Sequence, residues 1–202
     1  MKPPIDPNYP TYTQRFHLRR RLIDELTDDI ASDSSRYLYG ITVKPTSINW
    51  NWEECTDETN ANFVKEVYTN LERQINSILI RHHQRPCNHH KLIRSYMMIE
   101  KVSKDGFLTI PHAHGVISVH EETDQKFQSL LVRVEEDERS GTLSASLPDA
   151  ITHRLRYQLH SVRLHKITNL SGWLDYCTKQ VEDFGYPNGF RTPCLDKEMN
   201  AA

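Results

Sequence analysis

Hydrophobic and polar positions along this 202-residue chain follow two different periods, and the places where the period changes mark out its elements. From about Tyr12 to Ala31, Leu18, Leu22, Ile23, Leu26 and Ile30 recur at helical spacing and predict a helix. The segment Arg36-Tyr37-Leu38-Tyr39-Gly40-Ile41-Thr42-Val43-Lys44 is rich in aromatic and β-branched residues and stops at Pro45, which predicts a strand. Val64, Val67, Tyr68, Leu71, Ile75, Ile78 and Leu79 form a second helical stripe, capped near Asp57 to Asn60. Leu92 to Lys101 predicts a second strand, Lys104-Asp105-Gly106 a turn, and Leu108 to Val119 a third strand.

Further on, Phe127, Leu130, Leu131 and Val134 fall on one face of a helix predicted from Glu121 to Glu138 and ended by Gly141. Residues 142–158 read two ways. Leu147, Ile151 and Leu155 suit a helix starting at Pro148, whereas Leu155, Tyr157 and Leu159 suit a strand. Ser161 to Ile167 is a clearer strand, with Val162 and Leu164 alternating against Arg163 and His165. Ser171 then opens a last helix through Trp173, Leu174, Tyr176, Cys177 and Val181, ending by Gly185. The core order strand, helix, strand, strand, helix, strand, helix predicts an α+β fold. Its form is a ferredoxin-like (RRM-like) split β-α-β with a mainly antiparallel central sheet flanked by helices. The second and third strands form its central hairpin. Residues 1–35 are an N-terminal arm and helix, 36–184 the folded domain, and 185–202 a loose tail.

Composition narrows the class. With 37% hydrophobic and 26% charged residues the chain supports one core, not two full domains. No apolar run is long enough to span a bilayer and the N-terminus lacks a signal-peptide core, so the expectation is a cytoplasmic protein. Cys55, Cys87, Cys177 and Cys194 contain no C-x-x-C pair and read as reduced thiols. A net charge of −2 does not announce a nucleic-acid binder, so that reading must rest on local basic patches. One such patch opposes the dipole of the first helix: Arg15, Arg19, Arg20 and Arg21 lie in its first half, and Asp24, Glu25, Asp28 and Asp29 in its second. The arginines are either a solvated face or have a task beyond local stability.

The candidate chemistry begins in the third strand. In Pro111-His112-Ala113-His114-Gly115-Val116-Ile117, strand alternation puts His112 and His114 on one side, where two imidazoles can share a metal ion. The pair alone is weak in a chain with 11 histidines. Glu100 ends the strand across the hairpin, and reads either as an exposed strand-end carboxylate or as a third ligand. Two imidazoles and a carboxylate suit Mn²⁺ or Mg²⁺ with positions open to substrate oxygens. Tyr176 is the only one of nine tyrosines followed by lysine at the third position, Lys179. It is either a core tyrosine of an amphipathic helix or a phenol whose anion the ammonium favours. Lys44, Arg154, Arg156, Arg163 and Lys166 could track phosphates, and Trp50, Trp52 or Tyr39 could stack on bases. His82-His83-Gln84-Arg85-Pro86-Cys87-Asn88-His89-His90 offers zinc-class donors, but its spacing fits no ordinary zinc motif.

Taken together these segments resemble the HUH endonucleases, specifically the single-tyrosine Rep group that starts rolling-circle replication of plasmids and phages. The apolar first strand matches Tyr37 to Val43, the His-hydrophobic-His strand matches His112-Ala113-His114, and the Tyr-x-x-Lys helix matches Tyr176 to Lys179. The likeness runs over about residues 36–184. It implies a divalent ion, Mn²⁺ or Mg²⁺, on His112, His114 and Glu100, and attack by Tyr176 on single-stranded DNA at a replication origin in a bacterial host cell. The products are a free 3′-hydroxyl and a 5′-phosphotyrosine link. A single tyrosine suits one nick per site, with closure by a second subunit or another nucleophile, so oligomerisation stays open. The chain has no G-x-x-x-x-G-K-S/T loop, so unwinding falls to a host or separate helicase. The competing readings are a transposase or relaxase of the same superfamily, or a non-catalytic RRM-like module. Lysine at the third position after the tyrosine favours Rep over a transposase, and relaxases usually carry more histidines around the metal and are often permuted in motif order. An RRM-like module expects exposed aromatics where this chain has Glu100, His112 and His114.

Overall fold

In the computed structural model, residues 12–46, 57–102, 108–137, 142–147, 151, 155, 158–179 and 189–191 are described. The chain runs α1 (Tyr12–Ala31), β1 (Arg36–Pro45), α2 (Asp57–Leu79), a 3-10 turn (Pro86–Lys91), β2 (Arg94–Val102), β3 (Leu108–His120) and α3 (Glu121–Leu130). It continues through β4 (Val132–Asp137), β5 (Thr142–Ser146), β6 (Leu159–Lys166), a short α4 (Leu170–Cys177) and β7 (Gly189–Arg191). None of the described helices is long and apolar enough to cross a membrane.

The described strands form one sheet in the order β4-β5-β6-β1-β3-β2-β7, and every registered pair is antiparallel. The fold is therefore α+β, an antiparallel sheet flanked by helices. Alternation along the strands builds two separate apolar layers. Tyr39, Ile41 and Val43 of β1, with Met97, Ile99, Ala113, Ile117 and Val119, pack against α2 and Phe127 of α3. The other face puts Tyr96, Met98 and Val116 against Ile23, Leu26 and Ile30 of α1 and Leu174 and Cys177 of α4. That second face is where the histidine pair and Glu100 emerge. Arg36 ties β1 to its surroundings: its guanidinium is buried, pairs with Asp33, and donates to the carbonyls of Leu92, Ser118 and His90.

Several expectations need correcting. The helix predicted from Glu121 to Glu138 stops at Leu130, and Leu131 is already extended (φ −79°, ψ 123°). The run Val132-Arg133-Val134-Glu135 alternates β-branched with polar residues, and this period of two prevails over the helical stripe. The residues after it form β5, a strand paired with both β4 and β6. The β2–β3 hairpin lies to one side, and β1 with β3 holds the middle. The tail predicted to be loose contributes β7, which pairs with the edge of β2 through Tyr96↔Arg191, Met97↔Phe190 and Met98↔Gly189. The helix after β6 begins at Leu170 on an Asn169 cap and breaks at Thr178; Lys179 is helical again, and the rest of the stretch to Gly185 lies outside the described residues. Cys87 and Cys177 are free thiols, whereas Cys55 and Cys194 lie outside the described residues, as does the turn at Lys104-Asp105-Gly106.

Candidate active site

Strand register builds the first half of the site. Glu100 is paired with His112, and Met98 with His114, across β2 and β3, so the carboxylate and both imidazoles leave the sheet on the same face. Glu100 Oε2 lies 3.1 Å from His114 Nε2 and 3.8 Å from His112 Nε2. One donor atom from each of the three residues falls within 4.8 Å of the others, so the cluster can hold a metal ion. The third strand of the row adds an orienting group. Thr42 of β1 is paired with His114, and its Oγ1 lies 2.8 Å from His114 Nδ1. This contact suits a His114 that donates from Nδ1–H to the threonine and ligates through Nε2 once an ion replaces its hydrogen bond to Glu100, the usual outer arrangement of a metal-bound histidine.

Helix α4 supplies the second half. Asn169 caps it by accepting from the N–H of Gly172 (3.0 Å). Trp173 anchors it to the sheet by donating from Nε1 to the carbonyl of Gly115 (2.7 Å). Gly40 makes room for this packing, since a Cβ there would stand 2.3 Å from His165 and 2.9 Å from Trp173. Burial and the neighbouring His114 hold His165 below the usual imidazole value, and its ring packs edge-on against Trp173 with centroids 4.3 Å apart. One turn further on, Tyr176 stacks on Trp173, with centroids 5.2 Å apart and planes at 23°. The residue is 40% exposed, and its hydroxyl lies 3.5 Å from His114 Nε2.

Lys179, itself helical, stands just beyond Thr178, the residue at which α4 breaks. The backbone N–H of Thr178 (2.9 Å) and its hydroxyl (2.7 Å) both donate to the carbonyl of Leu174. Arg19 of α1 donates to the carbonyl of Asp175 (2.5 Å), the acceptor that the N–H of residue 179 would use in an unbroken helix. From there Lys179 Nζ reaches 2.9 Å from Glu100 Oε2 and 4.1 Å from the centroid of the Tyr176 ring. Burial pushes the Glu100 carboxyl up, but hydrogen bonds and charge from His114 and Lys179 outweigh it and hold the group at about 2. Burial likewise lowers the Lys179 ammonium, and the Glu100 hydrogen bond with the charges of Tyr176 and Glu100 turns the balance upward. The result is an ionised carboxylate under a cation, beside a phenol.

The structure thus brings Glu100, His112, His114, Tyr176 and Lys179 together on one face. Arg163 of β6 is paired with Thr42, which extends the His114 row outward to an exposed cation on that face, and exposed Lys44 lies two residues along β1 on the same side. Lys166 is paired with Tyr39 and sits over the Tyr37 ring on the opposite face. Tyr39 is buried and donates to Asp124 (2.6 Å), so it offers no stacking surface. Arg154, Arg156, Trp50 and Trp52 lie outside the described residues. Sequence reasoning missed Thr42 and Trp173. Trp173 carried a signal, because it stands three residues before Tyr176, whereas Thr42 acquires its place only through pairing with β3. Comparison with family models, with curated proteins and with solved structures finds no match to this chain.

Proposed function

We propose that this chain cuts and rejoins single-stranded DNA by metal-assisted attack of Tyr176, as an HUH-type Rep nickase initiating rolling-circle replication of a phage or plasmid. The observation that carries the reading is the meeting of Tyr176 with the Glu100–His112–His114 cluster under one shared cation, Lys179. The strand order β6-β1-β3-β2, with α2 and α3 on one face, is compatible with a ferredoxin-like split β-α-β and supports the reading to that extent.

Glu100, His112 and His114 would hold the ion, and Mn²⁺ or Mg²⁺ suits one carboxylate and two imidazoles with positions left open. When bound, it supplies Lewis-acid polarisation of the scissile phosphate. Thr42 keeps His114 in the ligating tautomer. Trp173 backs the Tyr176 ring and limits its approach, and Lys179 offsets the negative charge that builds as the tyrosine oxygen forms the new P–O bond, the P–O3′ bond breaks and the tyrosine's proton ends on the departing 3′-oxygen as the free hydroxyl. Arg163 and Lys44, on the same face, provide phosphate contacts along the strand. The exposure of Tyr176 gives the DNA end access to the oxygen it joins.

The test is cleavage of fluorescent single-stranded oligonucleotides covering candidate origins, with denaturing gels to detect protein bound to the 5′ product. Mn²⁺-dependent cleavage with a covalent adduct is expected, and both are lost in Tyr176→Phe. Cleavage that survives Tyr176→Phe contradicts the assignment of the nucleophile. Binding without cleavage on every origin tested favours an RRM-like binding module instead.

A further inference from the structure

The donor-rich stretch from His82 to His90 takes no part in the cluster just described. Its last histidine stands on the 3-10 turn Pro86–Lys91 and meets the junction where β3 passes into α3. The rings of His90 and His120 touch edge-on, with centroids 5.3 Å apart. His90 Nε2 lies 3.9 Å from Glu122 Oε1, and one donor atom from each of His90, His120 and Glu122 falls within 4.8 Å of the others. The other carboxylate oxygen of Glu122, Oε2, is held by the Lys91 ammonium.

We propose that His90, His120 and Glu122 form a second metal site, which takes a zinc-class divalent ion and fastens the α2–β2 connection to the β3–α3 junction. Two imidazoles and one carboxylate are an ordinary three-residue zinc set, with a fourth position left for water. Imidazole donors favour zinc over magnesium, and because the Glu100 cluster offers the same donor set, the two sites are told apart by removing the histidines of the first. Lys91 does here what outer groups do around metal carboxylates: by engaging Oε2 it turns Oε1 toward the histidines. Zinc bonds of about 2.0–2.1 Å require the three donors to close in by roughly an ångström. His90 and Glu122 are exposed and can make that movement. His120 caps α3 by accepting at Nδ1 from the N–H of Glu122, but the bond is long at 3.3 Å and easily exchanged for a metal bond. The site is independent of the first: His114 and His120 are six residues apart on β3, about 20 Å along the strand. It therefore stands or falls separately from the chemistry proposed for Tyr176.

The experiment uses the full chain carrying His112→Ala and His114→Ala, which removes the sheet-face ligands, and titrates Zn²⁺ by calorimetry with melting temperature followed in parallel. One equivalent of Zn²⁺ and a raised melting temperature are expected. His90→Ala and Glu122→Gln, both at exposed positions, should each weaken binding about tenfold or more and abolish the rise. Cys87→Ser should change neither. Should the parent variant misfold by circular dichroism, the unmutated chain is compared with His90→Ala alone, and a loss of one equivalent is expected. Absence of uptake overturns the proposal, as does binding that survives both His90→Ala and Glu122→Gln or disappears in Cys87→Ser.

Discussion

Lys179 Nζ lies 2.9 Å from Glu100 Oε2, the carboxylate oxygen that also faces His114 and His112. The ammonium and a metal ion therefore draw on the same negative charge. Removing the ammonium should strengthen metal binding while weakening strand cleavage, two effects of opposite sign from one substitution. For Lys179→Ala we expect Mn²⁺ affinity to rise roughly five- to tenfold, corresponding to about 1 kcal/mol for a partly exposed pair. Calorimetric titration of both proteins decides it, and an unchanged or lower affinity in the variant contradicts the shared-charge account.

Gly115 separates the histidine pair from the apolar end of β3 and has no space for a side chain. A Cβ at this position would sit 2.1 Å from the Tyr96 carbonyl and 2.5 Å from Met97 Sδ. One of these contacts is with backbone, which cannot rotate away. Gly115→Ala should cost about 2 to 3 kcal/mol, toward the upper end of overpacking effects. Urea unfolding would register this as a lower midpoint at unchanged slope.

Arg19 spans the two helices of the site face. Its guanidinium reaches the Asp175 carbonyl and carboxylate (2.5 and 3.0 Å) and Thr178 Oγ1 (3.3 Å), at the negative end of α4's dipole. Its neighbours Arg20 and Arg21 are exposed and paired within α1 to Asp24 and Glu25, so the arginine cluster divides into a solvated part and a clamp. Replacing Arg19 with Met keeps most of the bulk and removes the donors. Single-turnover cleavage should fall by about tenfold through misplacement of Tyr176 and Lys179. Mn²⁺ affinity should not fall, because its ligands stand on β2 and β3, and it should rise to the extent that Lys179 leaves Glu100. A parallel drop in both quantities would mean that Arg19 supports the whole fold rather than the helix end.

Asp33 gives the fold an acid-sensitive point away from the site. The Ser35 hydroxyl lowers its carboxyl most, burial opposes this, and Arg36 adds to the lowering. A carboxyl depressed in the folded state contributes stability that is fully present above its ordinary value and lost as pH falls through the lowered one. Denaturation midpoints should accordingly decline below about pH 4. In Asp33→Asn the protein should start less stable at neutral pH and show a shallower decline. Equal acid slopes in the two proteins would place the sensitivity elsewhere.

Period was the most legible property of this sequence. The two helical stripes, the strand from Arg36 and the alternation around His112 and His114 all appear in the fold, because each buries one continuous face. The stretch after Leu130 misled, since Phe127, Leu130, Leu131 and Val134 satisfy a helical period while Val132 and Val134 satisfy a strand period, and only a neighbouring strand edge decides between them. Strand β7 could not be foreseen, being three residues long and existing only through pairing with β2. Within the site, Glu100 was reachable from hairpin logic. Thr42 was not, because the β1–β3 register is a long-range property that leaves no local trace. Nor was the pairing of His90 with His120 and Glu122, which joins residues 30 and more positions apart.

The pairing of Glu100 with His112 carries a consequence for quality control. A slip of one residue between β2 and β3 would send Glu100 to the opposite surface of the sheet from the histidines, leaving no intermediate arrangement. Metal uptake at this cluster is thus an all-or-none report on whether the hairpin has zipped up correctly. A misaligned molecule would announce itself by failing to bind the ion.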